Sequence, residues 1–128
     1  MIEQFLKYIR SEKLFHPTQR ILLAVSGGAD SMLMLHLFVS TGFSVAVAHC
    51  NFGLRGKESD GDEQFVTDYC DQHNIALYTK RFETTEYADS KGISIEMAAR
   101  ELRYRWFDEL IRQHHFDYLA TAHHQDDV

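Results

Sequence analysis

Asp30 occupies an unusual place for a carboxylate. It lies in Ser26-Gly27-Gly28-Ala29-Asp30-Ser31, between the apolar run Ile21-Leu22-Leu23-Ala24-Val25 and a second apolar run from Met32 to Phe38. Adjacent glycines carry no Cβ, so successive backbone N–H groups can converge on an anion that also faces the positive end of a new helix. The stretch reads as a phosphate site. A Walker-type loop needs a lysine beside its Ser/Thr, and no lysine occurs between Lys13 and Lys57. The dinucleotide fingerprint fails as well, because no third glycine follows at the required spacing. A carboxylate inside an anion cradle repels phosphate unless it holds a metal ion or handles a proton, so Asp30 suggests Mg²⁺-assisted or acid/base chemistry. The plainer alternative is that Asp30 caps the helix.

Three further groups could take part. His49-Cys50-Asn51 leads into Phe52-Gly53-Leu54-Arg55-Gly56-Lys57, where Arg55 and Lys57 are either phosphate contacts or ordinary solvated loop charges. Glu96, Arg100, Arg103 and Phe107 recur at helical spacing on the shoulder of an apolar stripe, where they either line a cleft or form a surface Glu96–Arg100 pair. His123-His124-Gln125-Asp126-Asp127 packs imidazoles and carboxylates closely enough to ligate a metal or hold Mg²⁺ against phosphates, although a polar loop tip has the same look.

The elements that would position these groups follow from periodicity. Ile2, Phe5, Leu6 and Ile9 mark an amphipathic helix ending before Pro17. Ile21–Val25 is a strand, the run after Ser31 a helix stopped at Thr41-Gly42, and Ser44–His49 a second strand, which together make a βαβ unit. A helix is predicted from Glu58 to His73 with Phe65, Val66, Tyr69 and Cys70 inward, ended by Asn74. A third strand spans Ile75–Arg81, and a polar connection with room for a helical turn runs to Gly92. Ser94 caps a helix from Ile95 to about His114 whose core face is Ile95, Ala98, Ala99, Leu102, Trp106 and Leu110. Phe116–Ala122 is a fourth strand. The fold class is α/β, a parallel sheet with helices on both faces, and ligands in such sheets bind at the carboxyl ends of the strands.

At 128 residues and 45% hydrophobic content the chain can bury one core, so residues 1–128 are expected to form part of a single domain. Stopping at Val128, just past a polar strand tip, suggests a piece of a longer protein. No apolar run reaches the ~20 residues of a membrane span, and no signal-peptide pattern opens the chain, which makes a cytoplasmic protein without membrane contact the expectation. Cys50 and Cys70 form no paired motif, in keeping with a reducing compartment. A net charge of -6, from 13 basic and 19 acidic residues, offers no global attraction to nucleic acid, so any RNA partner would need a local basic patch and tight binding of RNA by this stretch alone is not expected.

Ser26–Ser31 after an apolar strand resembles the SGGxDS loop of the PP-loop ATP pyrophosphatases, which cut ATP between its α and β phosphates. His49–Arg55, Glu96–Phe107 and Thr121–Asp127 resemble the H-x-[DN]-[HF]-G-L-R, E-x-x-A-R-x-x-R-Y-x-x-F and T-A-H-H-x-D-D segments of one branch, the tRNA(Ile)-lysidine synthetases. Cys50 stands where an aliphatic residue is commoner, and the C-terminal tRNA-binding domains of that branch lie outside this sequence. The resemblance implies a Rossmann-like adenine nucleotide alpha hydrolase architecture with ATP held by Ser26, Gly27, Gly28, Ala29, Asp30 and Ser31. It implies Mg²⁺ near Asp30, and free L-lysine and a tRNA(Ile) with a CAU anticodon as substrates. The reaction it implies is adenylation of the C2 carbonyl oxygen of the wobble cytidine, position 34, with loss of pyrophosphate, followed by attack of the lysine amine on C2, which displaces AMP and gives lysidine. Asp30, Arg100 and Asp127 would be catalytic, with His49, Asn51, Arg55, Glu96, Arg103, His123, His124 and Asp126 around the substrate and phosphate rim. The rival readings are a PP-loop tRNA thiolase, for which Cys50 would have to act, and a non-catalytic nucleotide-binding module.

Overall fold

The structure is a computed structural model that describes residues 19–54 and 56–122. The predicted N-terminal helix, Arg55, and the tip residues His123, His124, Asp126 and Asp127 lie outside the described residues. The described residues form four strands, β1 (Arg20–Ala24), β2 (Ser44–Asn51), β3 (Ala76–Arg81) and β4 (Tyr118–Thr121), with one helix in each of the first two connections and two helices between β3 and β4. The helices are α1 (Ala29–Ser40), α2 (Lys57–Gln72), α3 (Thr84–Lys91) and α4 (Ile95–His114).

All pairings are parallel, in the order β3-β2-β1-β4. The chain therefore steps outward from β1 to β3 and then returns across the sheet to lay β4 on the free side of β1, which makes the gap between β1 and β4 a topological switch point. Ala24 pairs with Ala48 on one side and Thr121 on the other, so β1 and β4 finish level at one rim while β2 runs on past them to Asn51.

Successive β1 side chains point to opposite faces, and because helices cover both faces Ile21, Leu22 and Leu23 are all buried. Ile21, Leu23 and Val25 pack with Leu35 and Phe38 of α1 and with Val66 and Cys70 of α2. Leu22 joins Ala46, Ala48, Phe82, Phe116 and the α4 residues Trp106, Phe107 and Leu110 on the opposite face. Each of these large α4 side chains contributes about 1.5–3 kcal/mol when fully buried. That apolar load, more than helix propensity, fixes α4 against the sheet.

Helix ends fall where the sequence provides stops. Gly42 takes φ +81, and Thr41 Oγ1 donates to the Leu37 carbonyl at the end of α1. Asn74 and His115 adopt left-handed φ of 56° after α2 and α4. Arg20 donates to the His114 carbonyl and lays its guanidinium over the Phe116 ring, tying the end of α4 to the start of β1. The polar connection before Gly92 is an eight-residue helix, α3. Thr84 at its start is buried and donates to the Phe52 carbonyl at 2.8 Å.

Two predicted core positions are exposed. Phe65 was expected inward on α2 but is 55% exposed, because α2 buries the single i, i+4 line of Val66 and Cys70 and leaves its shoulder in solvent. Ile95 is exposed as well, since the first turn of α4 projects past the sheet. Phe107, predicted on the charged shoulder, is buried and belongs to the core.

Candidate nucleotide site at the strand ends

The glycine-rich loop leaves β1, one of the two inner strands of the sheet. Gly27 takes φ +96 and Gly28 precedes α1 in extended geometry, φ −74 and ψ 165. A Cβ on Gly27 would lie 3.2 Å from Asp62 Cβ on α2, so neither the backbone angle nor the space suits another residue there. Serine hydroxyls stitch the turn: Gly28 N–H donates to Ser26 Oγ at 3.3 Å, Gly27 N–H to Ser31 Oγ at 3.2 Å, and Ser31 Oγ donates to the Gly28 carbonyl at 3.0 Å. The two N–H bonds are longer than the usual ~2.9–3.0 Å, so a phosphate oxygen can take them over at small cost.

Gly28, not Asp30, is the N-cap, and no side chain caps α1. Asp30 sits one residue into the helix, in its first turn and on the wall of a cleft. The capping alternative is thereby removed.

The cleft encloses about 1180 Å³ between the loop and α4. Its floor is Ala24 at the end of β1 with Val25 and Ser26 just beyond it, Ala48, Cys50 and Phe52 from β2 and beyond, and Thr121 and Ala122 at the β4 tip. The far wall is the first half of α4, where Ser94 Oγ accepts from Met97 N–H at 3.1 Å and thereby starts the helix. Glu96, Arg100 and Arg103 line that wall as the shoulder stripe predicts, with Met97 and Tyr104 beside them. Both arginines stack on Tyr104, with guanidinium carbons 5.6 and 5.0 Å from the ring centroid. Arg103 Nε is buried and makes no hydrogen bond among the described residues, which leaves a donor for a ligand.

An anion-binding loop at a helix start faces two arginines across one cleft. A family model described as a PP-loop domain matches residues 1–128. The chain belongs to the PP-loop family. It is 49% identical over 128 residues to a tRNA(Ile)-lysidine synthase of Bacteroides thetaiotaomicron, covering 99% of this chain and 30% of that protein. It is 48% identical over 120 residues to one of Porphyromonas gingivalis W83, covering 93% and 26%, and 45% identical over 129 residues to one of Chlorobaculum tepidum, covering 98% and 39%. The chain thus spans well under half the length of these relatives.

Within the PP-loop cleft the predicted residues divide by strand parity. Successive β2 side chains alternate between faces, so Ala48 and Cys50, with Phe52 beyond the strand end, line the cleft while His49 and Asn51 lie off it. The rim placement expected of His49 and Asn51 is corrected accordingly. Both are buried: His49 Nδ1 is 2.8 Å from the Val25 carbonyl, and Asn51 bonds Asp60 Oδ1 and the Gly53 N–H, each at 3.0 Å. Arg81 joins the same Asp60 oxygen at 2.7 Å.

Cys50 reaches the PP-loop cleft but is a poor nucleophile. Burial pushes its thiol up from 9.0 to about 12, against the opposing pull of the Arg103 and Lys80 cations. Asp62 and Met97 are not singled out in the sequence, and Tyr104 stands there only as the tyrosine of the Glu96–Phe107 segment, with no place in the cleft assigned to it. Asp62 carries no signal, being one of several acidic residues on α2. Tyr104 follows Arg100 by four positions, and that spacing could have revealed it.

The described lining carries two carboxylates, Asp30 and Glu96, and two guanidiniums, Arg100 and Arg103. A triphosphate therefore needs additional positive charge. Among the described residues no three His, Cys, Asp or Glu side chains gather into a metal cage. One carboxylate near bound phosphates is nonetheless the usual Mg²⁺ arrangement, and Asp30 fits it.

Proposed function

We propose that the protein containing this chain is an ATP-dependent ligase that attaches free lysine to C2 of cytidine 34 in a tRNA(Ile) with a CAU anticodon. The observation that carries the reading is the cleft, in which the PP-loop faces Arg100 and Arg103. Similarity to proteins named tRNA(Ile)-lysidine synthase supplies the substrate class. The loop N–H groups and the α1 terminus hold the ATP phosphates. The cytidine O2 attacks the α phosphorus, the bond to the bridging oxygen breaks, and pyrophosphate leaves. Asp30 would hold a Mg²⁺ ion, which would supply charge neutralisation at the phosphates.

In the second step the lysine amine attacks C2, the C2–O bond breaks and AMP carries away the oxygen. The amine must first lose a proton, and Asp30 and Asp127 are assigned to orient it and accept that proton. Arg100 and Arg103 stabilise the negative charge that accumulates on the departing groups. ATP, lysine and tRNA are substrates of the whole protein, whose tRNA-binding surface extends beyond these residues, and the reaction takes place in the cytoplasm. A thiolase would require a reactive cysteine, and the protonated state of Cys50 disfavours it.

The deciding experiment incubates the full-length protein with ATP, lysine and a cytidine-34 tRNA, then analyses the nucleosides by mass. A lysine adduct on cytidine is expected, with AMP and pyrophosphate released and the release lost in Asp30→Ala. A sulfur-containing nucleoside, or release unaffected by Asp30→Ala, would overturn the assignment.

A further inference from the structure

We propose that His49 is a positioning residue for the glycine-rich loop, acting through the Val25 carbonyl and not by touching a substrate. It rests on the reading that this loop binds ATP. Val25 is the first residue beyond β1, the point at which the chain leaves the sheet for Ser26 and the glycines. Consecutive residues of β2 hold its two peptide groups: the Val25 N–H donates to the Ala48 carbonyl at 3.0 Å, and the Val25 carbonyl is 2.8 Å from His49 Nδ1. A carbonyl only accepts, so Nδ1 carries the hydrogen.

The other ring nitrogen sharpens the case. His49 is 2% exposed, and its Nε2 is buried with no hydrogen bond among the described residues. With Nδ1–H donating to Val25, Nε2 is left without a partner among the described residues, a burial cost that leucine of similar size would avoid. What leucine cannot provide is the bond to Val25. That bond fixes the peptide immediately before Ser26, whose hydroxyl accepts from Gly28 N–H and pairs with Ser31 Oγ at 3.2 Å. Releasing the Val25 carbonyl lets the whole loop turn relative to α1, and the N–H groups lose their convergence.

The test compares His49→Leu, which fills the space without a donor, with His49→Asn, whose Nδ2–H stands near the place of Nδ1–H. ATP affinity is measured by calorimetric titration of the full-length protein, and each variant is also melted. Losing one hydrogen bond's worth of preorganisation in His49→Leu is expected to weaken ATP about tenfold or more, with the melting temperature held or raised. His49→Asn is expected to stay within about threefold of wild type. A folded His49→Leu that binds ATP like wild type overturns the proposal. If His49→Leu does not fold, His49→Asn decides: near-wild-type affinity supports the role, and a tenfold loss at an unchanged melting temperature overturns it. A wild-type protein that does not bind ATP would overturn the ATP reading, whereas wild-type binding with no response to His49→Leu overturns the His49 role alone.

Discussion

Replacing Gly27 by alanine should separate what the loop needs from what its ligand needs. At φ +96 an L-residue pays conformational strain of about 1–3 kcal/mol. The added Cβ would meet Asp62 Cβ at 3.2 Å and Asp62 Cα at 3.5 Å, and α2 is anchored by Val66 and Cys70, so the neighbour yields only by moving the helix. A total near 2 kcal/mol is expected, which for a chain of this size lowers the melting temperature by roughly 8 °C. Gly28→Ala is the control. Its φ of −74 suits any residue and its Cβ would find only Ser26 Oγ at 3.5 Å, so the cost is that of a poorer N-cap, no more than about 1 kcal/mol. Gly28 lines the cleft, however, and a methyl there keeps phosphate from the loop N–H groups. Gly27→Ala should lose the more stability, while Gly28→Ala should lose ATP binding near wild-type stability. Thermal melts with and without ATP give both quantities. Equal destabilisation by the two substitutions would refute the argument from backbone angle and Asp62 contact.

Two further outcomes follow from the cleft's surroundings. Burial raises the Cys50 thiol to about 12 and that of Cys70 to about 11, from an ordinary 9.0. The unfolded chain therefore gives up these protons first, and stability is lost as pH rises from about 9 through those values. Urea denaturation at pH 8 and pH 10.5 should show the fall, and Cys50→Ala should make it shallower; an unchanged slope would contradict the assignment. Asn51→Ala removes the bonds to Asp60 and to the Gly53 N–H from a buried position and should cost about 1–3 kcal/mol in denaturant unfolding, whereas a loss below about 0.5 kcal/mol would show that the β2–α2 connection holds without them.

Much of this arrangement was legible in the sequence. Ser94 and the apolar spacing of Ile95–His114 placed α4 to the residue, because cap and stripe agree. The loop between Val25 and Met32 was legible because two glycines and a carboxylate between apolar runs admit few explanations. The faces were harder. His49, Cys50 and Asn51 are adjacent polar residues at a strand end, and nothing in their types says which point into the cleft; that follows only from the register Ala24↔Ala48. Phe107 lines the cleft with Glu96, Arg100 and Arg103 and also packs in the core, because α4 is overlain by both sheet and cleft and its buried arc is wider than a single stripe. Asp62 was invisible since its proximity to Gly27 joins residues far apart in the chain.

The alternation along β2 has a consequence for how this site could change over evolutionary time. The odd positions, Val47, His49 and Asn51, are committed to the body of the fold. Ala48, Cys50 and Phe52 form the surface a bound molecule would meet. Ala48 also belongs to the buried cluster around Leu22, so a drift in substrate preference proceeds most freely through Cys50 and Phe52, which are only partly buried. A one-residue insertion in the same strand has no such freedom: it exchanges the two sets and loses both binding surface and support in a single step.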